Sequence, residues 1–147
     1  MLFFKRKNTD TPFLDWLHAD MHSHLVPAID DGSPDVLTSV AMNRQMESLG
    51  YKKIITTPHV LWELYPNTPE KIATGIEDVR KMVQQEGIGI ELHAAAEYFI
   101  DDHFASHVES TAPLLTLSGN MVLVEFSMIT QPMELQNVIF QLEMQNY

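Results

Sequence analysis

Asp20-Met21-His22-Ser23-His24 is the stretch whose reading decides the fold. It reads as the end of a buried β-strand, expected over residues 16–22, that delivers two histidines one residue apart. Side chains at i and i+2 of an extended strand point to the same side. Two imidazoles on one side, with an acidic residue just before them, supply a first pair of ligands for a divalent cation.

Working outward, the chain repeats a strand-then-helix rhythm. Leu25–Gly32 is a loop with Asp-Gly turn chemistry. Ser33-Pro34 reads as N-cap and first helical residue. Val36, Leu37, Val40, Met42, Met46 and Leu49 approximate an apolar face, and Gly50 is the stop. A β-branched strand follows over 53–57 and closes at Pro58-His59. Residues 60–67 form a loop carrying Trp62, Glu63 and Tyr65. Thr68-Pro69 repeats the cap-plus-proline start, and Ile72, Ile76, Val79 and Val83 recur at helical spacing as far as Gly87. A third strand is expected near 90–96, a short helix over 101–110 and a fourth strand over 121–126. A last helix from about Pro132 would turn Leu135, Ile139, Phe140 and Met144 inward. Four βα units in this order predict an α/β chain built on a parallel sheet.

The acids and histidines are not scattered over this frame. His22 and His24 follow the first strand, His59 the second and Glu97 the third, and Glu125 ends the fourth. Parallel α/β folds gather their sites at the carboxyl ends of strands, where successive loops converge. Taken singly, His59 reads as a loop histidine, Glu97 as an acid opening a helix, and Asp30-Asp31 as turn residues, with one of the two as readily reaching the metal rim. Glu125 lies in an apolar strand, where an unpaired carboxylate is costly. Taken together they read as a metal site. His18, His93, His103 and His107, the rest of the seven histidines, fall elsewhere.

The bulk numbers set limits. With 147 residues and 45% apolar content the chain makes one domain with a real core. Cysteine is absent, which excludes disulfides, thiolate metal sites and a phosphocysteine route, and fits a cytoplasmic protein. A net charge of -11 opposes nucleic-acid partners. It does not oppose a phosphorylated substrate, because bound cations reverse the local sign. Met1–Lys7 is too short in apolar residues for a signal peptide or membrane span, and 1–15 is expected to be a flexible lead-in to a domain over 16–147.

On Asp20–His24 with Asp30-Asp31-Gly32, Thr56-Thr57-Pro58-His59, Ala96-Glu97-Tyr98 and Val124-Glu125-Phe126-Ser127, the chain resembles the PHP (polymerase and histidinol phosphatase) superfamily. Within it, the chain is most similar to the manganese-dependent protein-tyrosine phosphatases of bacterial capsular and exopolysaccharide operons. The Asp-Asp-Gly after His24 singles out that branch. The resemblance implies a distorted (β/α)7 barrel with a cluster of divalent metals at its rim. It implies that His22 and His24 bind one metal, that Glu97 bridges two, that Glu125 joins the second, and that Asp31 and His59 serve the third and the chemistry. Manganese is implied, with iron, zinc and magnesium compatible with the same donors. The implied substrate is phosphotyrosine on a bacterial tyrosine kinase. A small-molecule phosphatase of the histidinol-phosphate type, or a metal-binding and assembly fragment without turnover, are the alternatives.

The family pattern continues with a His-x-Glu-Arg-Tyr-like segment and an Asp-x-His that this sequence does not hold. The chain is therefore expected to be the N-terminal part of a barrel. A closed α/β barrel takes about 200–250 residues. Four βα units leave two bare strand edges, which seek partners, so self-association is expected.

Overall fold

The computed structural model describes residues 17–147. The expected lead-in over 1–15 and the start of the first strand at residue 16 lie outside the described residues.

Six strands appear where the sequence predicts four, because short strands follow beyond the predicted ends at 57 and 96, one of them taking Val60 from the predicted 60–67 loop. The second runs as β2 (Lys53–Thr56), yields at Thr57-Pro58, and resumes as β3 (His59–Val60). Pro58 has no amide hydrogen to give a ladder, which fixes the break there. The third runs as β4 (Glu91–Ala94), bends at the fully buried Ala95-Ala96, and resumes as β5 (Glu97–Phe99). With β1 (Ala19–Asp20) and β6 (Leu123–Glu125) these form two three-stranded sheets, β1-β2-β4 and β3-β5-β6. Every pairing is parallel, as the βα rhythm predicts. Hydrogen bonds from Ala95 N–H to the Thr56 carbonyl (2.8 Å) and from Glu97 N–H to the Pro58 carbonyl (3.0 Å) stitch the two sheets across the bends.

The first strand is shorter than its sequence promised. β1 ends at Asp20, so His22 and His24 sit on irregular backbone beyond it rather than on a strand. The cause is Thr56. Its hydroxyl donates to the Ser23 carbonyl (2.6 Å) and accepts from Leu25 N–H (2.8 Å), replacing ladder bonds at the point where the chain turns over the sheet.

Helix α1 (Val36–Ser48) is capped by Asp35, whose carboxylate accepts from Thr38 N–H, and not by Ser33. Ser33 is buried, and its hydroxyl donates to the Asp35 carbonyl and accepts from Ser39. The inward face of α1 is Ser39, Val40 and Asn43, while Leu37 and Met42 are exposed. Small and hydrogen-bonded side chains fill this contact: Asn43 donates to the Ser39 carbonyl one turn back (2.8 Å).

Helix α2 (Pro69–Gln85) follows its pattern. Thr68 caps it, Pro69 opens it, and Ile72, Ile76, Val79 and Val83 are its buried stripe. Gly75 lies where a Cβ would come within 2.6 Å of Val26 Cγ1, so the helix rests directly on the loop that follows His24. Helix α3 (Asp102–Glu109) is capped by Asp101. Helix α4 (Leu135–Met144) buries Val138 and Leu142, with Leu135 partly covered. Ile139, Phe140 and Met144, expected inward, are exposed. One turn, Val138 and Leu142, meets the core, and no described residue covers the flank beside it. α1 packs on α2 and α3 on α4.

Candidate metal centre

The breaks in the strands place the acids and imidazoles. His59 opens β3 and Glu97 opens β5, directly paired in register, and Glu125 pairs with Phe99 at the end of β6. His22 and His24 arrive from the turn after β1. Glu97 is buried and its two oxygens are divided among three imidazoles. Oε1 lies 3.7 Å from His22 Nε2, and Oε2 lies 3.4 Å from His24 Nε2 and 3.1 Å from His59 Nδ1. Glu125 Oε2 is 3.5 Å from His59 Nδ1, and Asp31 Oδ1 is 3.6 Å from His59 Nε2.

Three overlapping groups result: His22, His24 and Glu97; His24, Asp31 and His59; His59, Glu97 and Glu125. The ligand atoms of each lie within 4.8 Å of one another. Adjacent groups share a residue, which is the geometry of neighbouring cations held by common donors. All six side chains singled out in the sequence are brought together. None of these groups includes His18, His93, His103 or His107. One argument from sequence changes: Glu125 is not desolvated, since its side chain is 43% exposed at the open edge of β6.

The supporting contacts fix which nitrogen of each ring faces inward. His22 Nδ1 is 2.9 Å from the Thr57 hydroxyl, leaving Nε2 toward Glu97. His24 Nδ1–H donates to Asp30 Oδ2 at 2.8 Å, again leaving Nε2 toward Glu97. A carboxylate behind a histidine is the usual way of orienting and enriching a metal-binding imidazole. The Asp30 side chain is fully buried and also accepts from the amides of Gly32 and His59. Burial would push its pKa up, but these three hydrogen bonds outweigh it and hold the group below the ordinary carboxylate value. The same bond to Asp30 raises His24 above the ordinary imidazole value, against the effect of burial. Gly32 has no room for a side chain, because a Cβ there would meet His24 Cβ at 2.3 Å.

Asp30, whose position in the sequence points to a turn, has its partner six residues back. Asn67 gave no signal either. It is buried, and its amide donates to the carbonyls of Ile29 (3.0 Å) and His59 (2.7 Å), tying the two ligand-bearing loops together. Tyr65 stacks on the His59 ring, with centroids 5.5 Å apart and planes 10° apart. Tyr98, beside Glu97, packs away from the centre: it is buried against Phe104, and its hydroxyl accepts from Leu115 N–H.

The residues fit cations. His59 Nδ1 is buried with no hydrogen-bond partner among the described residues, yet it faces carboxylate oxygens of Glu97 and Glu125. Three histidines and four carboxylates in contact leave excess negative charge. No lysine or arginine of the described residues pairs with these acids: Arg44, Lys53, Arg80 and Lys81 pair with Glu86, Glu91, Glu77 and Asp78. An all-nitrogen-and-oxygen donor set suits divalent manganese, iron, zinc or magnesium.

Comparison with known proteins agrees. The chain is 26% identical over 128 residues to the tyrosine-protein phosphatase YwqE of Bacillus subtilis (strain 168), covering 87% of this chain and 50% of that protein. It is 29% identical over 112 residues to the tyrosine-protein phosphatase CpsB of Streptococcus pneumoniae, covering 76% and 46%. It superposes with a TM-score of 0.77 and 26% identity on a chain from crystal structures of YwqE and CpsB, described as unique metal-dependent tyrosine phosphatases, covering 88% of this chain and 52% of that one. The chain thus spans about half the length of the curated relatives it matches. The model of the family described as "Capsular polysaccharide synthesis, CpsB/CapC" matches residues 18–147, and the chain belongs to that family.

Proposed function

We propose that this chain carries a large part of the metal site of a phosphomonoesterase, acting on phosphotyrosine of a bacterial tyrosine kinase of polysaccharide synthesis in the cytoplasm. The single observation that carries the reading is Glu97, one buried carboxylate shared by three imidazoles, two from the turn after β1 and one from β3. His22, His24, Asp31, His59, Glu97 and Glu125 are the ligands, and manganese is the favoured metal. When bound, such cations supply Lewis-acid binding of phosphoryl oxygens and a water of lowered pKa.

The chain's own residues do the rest. Thr57 and Asp30 hold the rings of His22 and His24 so that their Nε2 atoms point inward. Asn67 fixes the backbone of His59, and Tyr65 limits the tilt of its ring. Asp31, exposed at the mouth beside His59 Nε2, and His59 itself are assigned to the chemistry as well as to the metal. Metal binding without turnover is the second reading. We also assign self-association, through the β6 edge that no described strand covers.

The test is manganese titration of the 147-residue chain by calorimetry, with hydrolysis of a phosphotyrosine peptide and of histidinol phosphate measured side by side. Manganese binding lost in Glu97→Ala, with preference for the peptide, supports the main reading. Binding without hydrolysis selects the second reading. Binding undiminished in Glu97→Ala sinks both.

A further inference from the structure

Beyond the metal centre, at the carboxyl ends of β3 and β5, an open cleft of about 380 Å³ lies over Leu61, Trp62 and Phe99. Strand alternation ties it to the metal site. His59 and Glu97 face that site, Val60 and Tyr98 turn to the helices, and Leu61 and Phe99 return to the side of His59 and Glu97. Phe99 is also the register partner of Glu125, so the cleft adjoins the metal-site acids. The turn that carries Trp62 is closed by the pairing of Leu61 with Tyr65, whose ring stacks on His59. Trp62 itself stacks on His103, with centroids 3.9 Å and planes 10° apart, which fixes the indole at the cleft wall.

The floor of this cleft is apolar although it opens to water: Trp62 is 47% exposed, and Leu61 and Phe99 are half-buried. The volume falls in the range of small-molecule sites, roughly 300–1,000 Å³. The step from Glu97 to Phe99, or from His59 to Leu61, is about 7 Å along a strand. That interval matches the reach of an aryl phosphate from its phosphorus across its ring. A phosphoryl group over His59 and Glu97 therefore carries its ring onto Leu61 and Phe99. Past the ring stand Glu63, Asp101 and Asp102, and no described lysine or arginine lines the cleft. The far end of such a ring meets negative charge.

We propose that Leu61, Trp62 and Phe99 seat the aromatic ring of the phosphate ester, and that Glu63 and Asp102 select against a negative charge at the far end of that ring. The inference rests on the metal reading above. It adds the side chains that make the site prefer an aryl ester to an alkyl one. None of them is a metal ligand, so their contribution is separable from the binding of the phosphoryl group.

The experiment uses benzylphosphonate, 4-carboxybenzylphosphonate and methylphosphonate, whose carbon–phosphorus bonds are not hydrolysed. Each is titrated by calorimetry into the manganese-loaded 147-residue chain. Benzylphosphonate is expected to bind about tenfold more tightly than methylphosphonate. The added carboxylate is expected to weaken benzylphosphonate about threefold. In the zinc-loaded chain, backbone amide shifts caused by benzylphosphonate and not by methylphosphonate are expected to centre on Leu61, Trp62 and Phe99. Phe99→Ala brings the ratio of the two affinities toward one. If Phe99→Ala fails to fold, Trp62→Ala, at an exposed position, reads the same ratio. Equal affinity for benzylphosphonate and methylphosphonate overturns the inference and leaves the metal reading standing. So do ring-dependent shifts centred elsewhere, or a preference that survives both substitutions. Undiminished binding of the carboxylate probe removes the part assigned to Glu63 and Asp102. A chain that takes up manganese and binds neither benzylphosphonate nor methylphosphonate overturns this inference together with the phosphatase reading.

Discussion

Asp30 shows how a residue with no chemistry of its own can govern a site. It touches His24, Gly32 and the amide of His59 at once, and removing its charge loosens two of the proposed ligands together. Asp30→Asn is expected to lower manganese affinity by about 10–100-fold, with helix content unchanged by circular dichroism. Calorimetry measures the first and far-ultraviolet dichroism the second. The same pair sets a pH window for the metal-free protein. Asp30 has a folded pKa below 3.8, so its contribution is present above that value and is lost as pH falls through the folded pKa. His24 has a folded pKa above 6.5, so its contribution is full below 6.5 and is lost as pH rises through the folded pKa. Urea unfolding of the metal-free chain is expected to show the wild-type advantage over Asp30→Asn greatest between those two ordinary values. A difference flat from pH 3 to pH 8 would remove the pair as its source. His22, His24, His59, Glu97 and Glu125 were legible in the sequence because each stands where a strand-like run stops. Asp30 and Asn67 were not. Two adjacent acids in an Asp-Asp-Gly turn do not tell which of them will turn back to a histidine six residues earlier, and one asparagine in a loop does not announce which carbonyls it will meet.

Among the elements, α2 is the one that sequence and structure describe alike. A capping threonine, a proline at its start and a four-residue aliphatic stripe all agree. Removing the cap by Thr68→Ala is expected to cost about 1 kcal/mol. Ile76→Ala, at a fully buried position, is expected to cost about 2–5 kcal/mol. Chemical denaturation reads both, and the ordering of the two matters more than either value. α1 and α4 were read less well for different reasons. α1 turns Ser39 and Asn43 inward, and their hydrogen bonds within the helix substitute for aliphatic bulk that a pattern search seeks. α4 is apolar on more than one flank, so periodicity alone could not say which flank the core takes. The split of two strands into four was also hidden. Pro58 marks one break, but nothing in Ala94-Ala95-Ala96 distinguishes a bend from an uninterrupted strand.

At the scale of the whole molecule, the described residues form a parallel arc in which no described strand pairs with the outer edges of β1 and β6. Beyond β6, Met128, Ile129 and Met133 are almost wholly exposed, and Phe140 and Met144 of α4 add to an uncovered apolar surface. Surfaces of this kind mark contacts with another protein surface. Sedimentation velocity is expected to show self-association that weakens when Ile129 and Met133 are both changed to lysine. A monomer at all concentrations would dispose of the self-association assigned above. The four βα units and their order were legible from periodicity, because helix and strand repeats differ so clearly. How the arc bends was not, since curvature arises from hydrogen bonds between segments distant in sequence.

The pairing of His59 with Glu97 and of Val60 with Tyr98 has a genetic corollary. Shifting β3 by one position against β5 would exchange inside for outside, sending an imidazole among the aliphatic side chains and a valine among the acids. One inserted or deleted codon between Lys53 and Val60, or between Glu91 and Phe99, therefore damages chemistry and stability in a single event. Tolerated length changes should collect instead in the segment between Phe126 and Leu135, where no ladder keeps count.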